Sequence, residues 1–175
     1  MEDIFTSSEE MYDDNPDYKK KTWLELCNGW MHDEYNIRGF FGEYRFLSNF
    51  YLSDIVYEDL CYISSENAYQ ACKVIREERF NFETITPAES KKDWKNYTPQ
   101  YSARKWDEEI KYHAMFLVLY NKFTQNDVLK EKLLATGEKY LEETNWWNDT
   151  YWGVCNGIGL NNLGKQLMTI RNILK

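Results

Sequence analysis

Two short stretches of this chain set a carboxylate beside aromatic rings. One is Ser64-Ser65-Glu66-Asn67-Ala68-Tyr69-Gln70-Ala71-Cys72-Lys73, and the other is Asn148-Asp149-Thr150-Tyr151-Trp152-Gly153-Val154. Two carboxylates and an aromatic clamp are what cleavage of a glycosidic bond requires. One carboxylate positions water while the other stabilises developing oxocarbenium charge. Glu66 falls in the first turn of a predicted helix, where the dipole and free N–H groups favour an ionised carboxylate. Tyr69, Gln70 and Lys73 follow at i+3, i+4 and i+7, so the four share one face. Such a face suits a pocket wall; the plainer alternative is that Glu66 only serves the helix N-terminus while Lys73 lies on the surface. Asp149 sits between Trp146-Trp147 and Tyr151-Trp152. A loop this aromatic is rarely left in water. It is either a clamp for a flat ring or a packed corner whose turn Asp149 caps.

Weaker signals surround these two. Gly153, Gly157 and Gly159 lead into the last predicted helix, where backbone N–H groups could hold a phosphate. The spacing is neither Walker nor Rossmann. Ser48-Asn49-Phe50-Tyr51 offers amide and ring groups to a base or ribose, or forms a simple turn. Arg38, Arg45, Arg104, Lys105 and Lys122 are phosphate candidates or ordinary surface charges.

The elements that must position these residues follow from pattern. Residues 1–17 are polar and acidic and read as an arm. Residues 18–35 read as an accessory helix with Trp23, Leu26, Cys27, Trp30 and Met31 on one stripe. Short strands are predicted near 44–47 and 54–63, with a turn at Glu58-Asp59. A helix over 65–77 is capped by Ser64 or Ser65. Thr86-Pro87-Ala88-Glu89 starts another, with Thr as cap, Pro first and Glu third, running to about Tyr97. The longest helix spans 106–123. Asn126 caps a short one ending at Gly137, and 139–143 is a short strand. The last helix carries Leu160, Leu163, Leu167, Ile170 and Leu174. Strands followed mostly by helices give an α+β domain dominated by helix.

Composition bounds the function. The chain has 175 residues and a net charge of −8, with 17% aromatics. Residues 1–34 hold 10 acids and 3 bases, while residues 35–175 hold 19 acids and 18 bases. The acidity therefore belongs to the N-terminal segment, which is a candidate protein-partner surface. The nearly neutral body argues against a general grip on duplex nucleic acid. The four cysteines (Cys27, Cys61, Cys72 and Cys155) form no CxxC pair and read as free thiols in a reducing cytoplasm. With only His32 and His113, no metal-ligand spacing arises, and no metal or redox cofactor is expected. No apolar run approaches a membrane span, and no leader pattern is present.

Seven blocks occur in a familiar order. They are Phe46-Leu47-Ser48-Asn49-Phe50-Tyr51, Ser64 to Lys73, Arg104-x-Trp106, Lys122-Phe123-x-Gln125-Asn126, Leu133-Leu134-x-Thr136-Gly137, Asn148-Asp149-x-Tyr151-Trp152-Gly153, and Gly157-x-Gly159-x-Asn161-x-Leu163-Gly164 through Arg171. The chain closely resembles the NADAR, or YbiA-like, family over about residues 38–174. That leaves 1–37 as an extension and 38–175 as the domain. The resemblance implies a YbiA-like fold and N-glycosidase chemistry. The implied substrates are ADP-ribosylated guanine in nucleic acid or phosphoribosyl intermediates of riboflavin synthesis. It points to Glu66, Asp149, Trp152 and Lys73 as the catalytic set. Ser48, Asn49, Phe50, Tyr69, Gln70, Arg104, Tyr151, Gly153 and Asn161 are the substrate-binding set. Lys73 neutralises the site, contacts phosphate or forms a Schiff base with an opened ribose. The family pattern usually has His where Asn67 stands, and Asp where Lys105 stands. These departures bear on substrate preference.

Overall fold

The computed structural model describes residues 32–101 and 106–175. The predicted acidic arm, nearly all of the accessory helix, Arg104 and Lys105 lie outside the described residues. Residues 32–35 form no helix; the Asp33 side chain instead accepts the backbone N–H groups of Tyr35 and Asn36 at 2.7 Å each. The fold is α+β and mainly helical, with six short strands in three two-stranded sheets among the described residues. It divides into two units, one of residues up to Ser48 together with Leu133–Ile173, the other of Asn49–Lys132.

The second unit is built on a hairpin. Strands β2 (Leu52–Tyr57) and β3 (Leu60–Ser64) pair antiparallel. The turn is at Glu58-Asp59, as the sequence predicts, and both residues take positive φ, 49° and 68°. Two left-handed residues in a two-residue loop match the right-handed twist of the flanking strands. Helix α1 (Ser65–Ala71) follows at once. Ser64 is its cap, its hydroxyl accepting the Asn67 N–H at 3.2 Å. The Asn67 amide in turn donates to the carbonyls of Phe82 and Ile85, at 2.9 and 2.7 Å. It thereby fixes the segment leading to helix α2 (Pro87–Asp93). That helix opens with the capping box read from Thr86 and Glu89, and tightens into a 3-10 turn over Trp94–Asn96. Helix α3 (Glu108–Gln125) packs on β2 and α1.

The predicted helix over 65–77 stops early. Beyond Cys72 the backbone turns to another segment: Ile75 donates to the Thr98 carbonyl at 2.9 Å, and Gln100 donates to that of Lys73 at 2.8 Å. Those strand-like bonds compete with helical ones and hold Lys73 at the edge of its helix.

In the first unit, β1 (Asn36–Arg38) pairs parallel with β4 (Tyr140–Glu142), and β5 (Thr144–Asn145) with β6 (Val154–Cys155). Helix α4 (Asp127–Ala135) begins in the second unit and ends in the first. Asn126 caps it, its side chain accepting the Leu129 N–H at 3.1 Å. Helix α5 (Asn162–Ile173) buries Leu163, Leu167 and Ile170 against β4. Leu160 departs from the predicted stripe. It precedes the helix and is 51% exposed. Residues 42–47 are also not a strand. They wind as a 3-10 segment with i→i+3 bonds, so adjacent Phe46 and Leu47 are both buried. A strand would have turned one of them to water.

Candidate active site

Within the second unit, one face of α1 gathers the predicted residues. Glu66 is 6% exposed, Gln70 is 3% exposed, and Tyr69 is buried beside them. The Gln70 Nε2 donates to Glu66 Oε1 at 2.5 Å. The Glu66 backbone N–H donates to the Asn49 carbonyl at 3.0 Å. The Asn49 amide reaches Met115 Sδ at 3.3 Å, a soft acceptor. Phe50 lies below Lys91, whose Nζ is 5.6 Å from the ring centre.

Lys73 lies between two rings. Its Nζ is 4.9 Å from the centre of Tyr69 and 4.6 Å from that of Trp94. Rings stabilise the cation, and Glu66 pulls the pKa up, but burial dominates. The ammonium is pushed down to about 8 from the ordinary lysine value of 10.5. A lysine freed of its proton this close to neutrality is a competent nucleophile. Trp94 was not legible as a site residue. It ends a capped helix, and no spacing ties it to Lys73.

The aromatic loop sits in the first unit. Asp149 Oδ1 accepts the backbone N–H groups of Tyr151 at 3.1 Å and Trp152 at 2.8 Å. Asn145 brackets the same residue, accepting its N–H at 3.1 Å and donating to its carbonyl at 2.8 Å. Trp152 stands edge-on to Tyr151, with ring centres 4.9 Å apart. Gly153 is required by close approach: a Cβ there would lie 2.2 Å from the Glu143 carbonyl oxygen. Asn161, at φ 52°, donates to Leu141 O and Tyr140 Oη at 2.9 Å each and accepts the Glu143 N–H at 3.1 Å. Ser48 is buried at the end of the 3-10 segment, its N–H on the Arg45 carbonyl.

The predicted phosphate cradle at the last helix is not available. The N–H groups of Asn162 and Leu163 already donate to the carbonyls of Tyr151 and Trp152, at 3.4 and 3.0 Å. Lys122 differs more sharply from its reading as a surface charge. It is fully buried, with its Nζ 5.5 Å from the Tyr51 ring centre and 5.3 Å from that of Phe123. Val118, Leu119 and Phe123 share its buried side of the long helix, which is the signal for burial, and its charge masks that signal.

A cleft of about 280 Å³ also lies in the second unit, lined by Cys72, Arg79, Tyr101, Trp106 and the α3 face of Ile110, Ala114 and Leu117. Its buried polar groups pair with each other. Arg79 donates to Val74 O at 3.1 Å and to the Glu58 carboxylate, and Tyr57 is hydrogen-bonded to the Cys72 thiol, which burial pushes up to about 12. Trp106 links the cleft to Tyr69, with ring centres 5.9 Å apart. Among the described residues there is no cluster of three potential metal ligands, and no helix is long and apolar enough to cross a membrane.

A family model described as the NADAR domain matches residues 30–175. The chain is 34% identical over 133 residues to a riboflavin biosynthesis protein of Vibrio vulnificus, covering 74% of this chain and 35% of that protein. It thus spans about a third of that relative's length. It is 32% identical over 138 residues to an N-glycosidase of Nostoc punctiforme, covering 75% of this chain and 86% of the relative. The NMR structure of the E. coli protein YbiA superposes with a TM-score of 0.68 at 29% identity, covering 83% of this chain and 88% of that one.

Proposed function

The chain belongs to the NADAR domain family, and from that membership we propose that it is a hydrolase of N-glycosidic bonds joining a ribose-type carbon to a base nitrogen. The observation that carries this reading is the α1 face. There a buried carboxylate, Glu66, is held by Gln70 beside an amine, Lys73, of lowered pKa. Glu66 positions water and stabilises positive charge at the anomeric carbon. Lys73, whose lowered pKa suits a nucleophile, adds to C1 of the ring-opened ribose; the base leaves as its amine, and the water positioned by Glu66 hydrolyses the resulting lysine imine, freeing Lys73 and the sugar aldehyde. In the other unit, Asp149 holds the loop that carries Trp152 through the backbone N–H groups of Tyr151 and Trp152.

The substrate we propose is ADP-ribose attached to guanine in a single-stranded nucleic acid. The body of the chain is nearly neutral, which suits recognition of one modified nucleotide over a long phosphate track. The name of the Vibrio relative favours a second substrate class, the ribosylated amino-pyrimidines of riboflavin synthesis. The test is incubation of wild type and Glu66→Gln with an ADP-ribosylated guanosine oligonucleotide and, separately, with phosphoribosyl-aminopyrimidines, followed by mass spectrometry. Release of ADP-ribose by wild type alone supports the nucleic-acid substrate. Release from the small molecules alone moves the assignment there. Neither release overturns the hydrolase reading.

A further inference from the structure

Gln70 is a side chain with one end fixed and the other empty. Its Nε2 faces the Glu66 carboxylate at 2.5 Å. In this contact the amide nitrogen donates and the carboxylate oxygen accepts, which orients the amide. Its Oε1 is then an acceptor, and it is buried with no partner among the described residues. The whole residue is 97% buried. Buried side-chain oxygens are rarely left without a donor, because water has been lost and nothing replaces it. A second buried oxygen in the same state, Asn49 Oδ1, belongs to the residue whose carbonyl receives the Glu66 N–H. The surroundings of Glu66 are thus rich in acceptors and call for a ligand that brings donors.

We infer that Gln70 Oε1 accepts a hydrogen bond from the C2 hydroxyl of the ribosyl group, making Gln70 the residue that selects ribosyl over 2-deoxyribosyl ligands. This rests on the N-glycosidase reading, which sets the Glu66 carboxylate at the anomeric carbon. The hydroxyl next to that carbon is the one at C2, and Gln70 Oε1 lies one carboxamide width from Glu66. Bonds to this hydroxyl also tighten as an oxocarbenium ion forms. An acceptor fixed in this way is mismatched to a phosphate or carbonyl oxygen, which would face it lone pair to lone pair.

The first test needs no chemistry. Calorimetry with the full chain compares ADP-ribose with its analogue lacking the C2 hydroxyl of the terminal ribose. Wild type is expected to bind the hydroxylated form about 10- to 100-fold more tightly, the size set by one buried acceptor losing its donor. Gln70→Met, similar in shape and without the oxygen, is expected to bind the two within about twofold. A second readout is the ratio of kcat/KM for ribosyl and 2-deoxyribosyl substrates in each enzyme. Comparing the two enzymes cancels the different intrinsic reactivity of the sugars. If wild type binds the two sugars equally, or binds neither, the inference is overturned and a resident water satisfies Gln70. If Gln70→Met does not fold, the wild-type binding ratio still decides. Failure of the hydrolase reading looks different: wild type cleaves nothing, whatever the binding ratio.

Discussion

The α1 face and the Asp149 loop read alike in sequence and differ in how their carboxylates spend hydrogen bonds. Asp149 directs one oxygen at the N–H groups two and three residues ahead, closing its own turn. The Glu66 carboxylate turns to a side chain of its own helix. It meets the Gln70 amide, whose far end is unsatisfied. A carboxylate beside aromatic rings can thus be mortar in one place and, under the proposed function, a reactive group in the other. The distinguishing feature is whether its neighbours leave an unmet polar atom.

The contrast is broken first by paired substitutions. Glu66→Gln is expected to lower kcat/KM about 10³-fold while leaving the urea midpoint nearly unchanged. Asp149→Asn keeps an acceptor for the turn and is expected to cost less than about tenfold in rate. Equal losses in the two variants would mean that Asp149 does more than close its own turn. Next in size is Gly153→Ala, whose methyl group would collide with the Glu143 carbonyl. Urea unfolding is expected to show a loss of about 3 kcal/mol or more, and a loss under about 1 kcal/mol would mean that the loop yields easily. Asp149→Ala removes the acceptor of two backbone N–H groups, and about 2 kcal/mol of stability should go with it in the same measurement.

Lys73 sharpens the comparison through pH. Its pKa in the folded chain is lowered to about 8. Below pH 8 both folded and unfolded chains carry the proton, and the cost of burying the charge is fully present. Between about 8 and the ordinary lysine value of 10.5, the unfolded chain holds a proton that the folded chain has released. Stability contributed by this group therefore rises with pH across that window. The melting-temperature advantage of Lys73→Met over wild type should accordingly shrink between pH 7 and pH 10. With the neutral amine as the working form, kcat/KM should rise about tenfold per pH unit up to about 8 and then level off. A fall above pH 8 would assign the work to the ammonium.

Much of this architecture is legible in the chain. The Thr86–Glu89 capping box, the Glu58-Asp59 turn, the Asn126 cap and the shared face of Glu66, Tyr69, Gln70 and Lys73 are local matters, and local chemistry decides them. What the sequence hid depends on distant partners. Helix α1 stops because residues 73–75 bond to residues 98–100. Lys122 is buried beside Tyr51, a residue far off in sequence, and its charge masks the apolar pattern of its own helix. Trp94 meets Lys73 only because that early stop turns the chain. The last helix offers no phosphate cradle because its first N–H groups are taken by the aromatic loop.

One contact has a consequence for the state of the protein in solution. Gln125, at the end of α3, accepts the Val56 N–H and donates to the Val56 carbonyl, both at 2.8 Å. A side-chain amide here imitates the rung of a neighbouring strand. Val56 itself is half exposed, on a hairpin of only two strands, and an open rung at such a place invites another chain to add to the sheet. By filling it, Gln125 guards the hairpin against edge-to-edge aggregation.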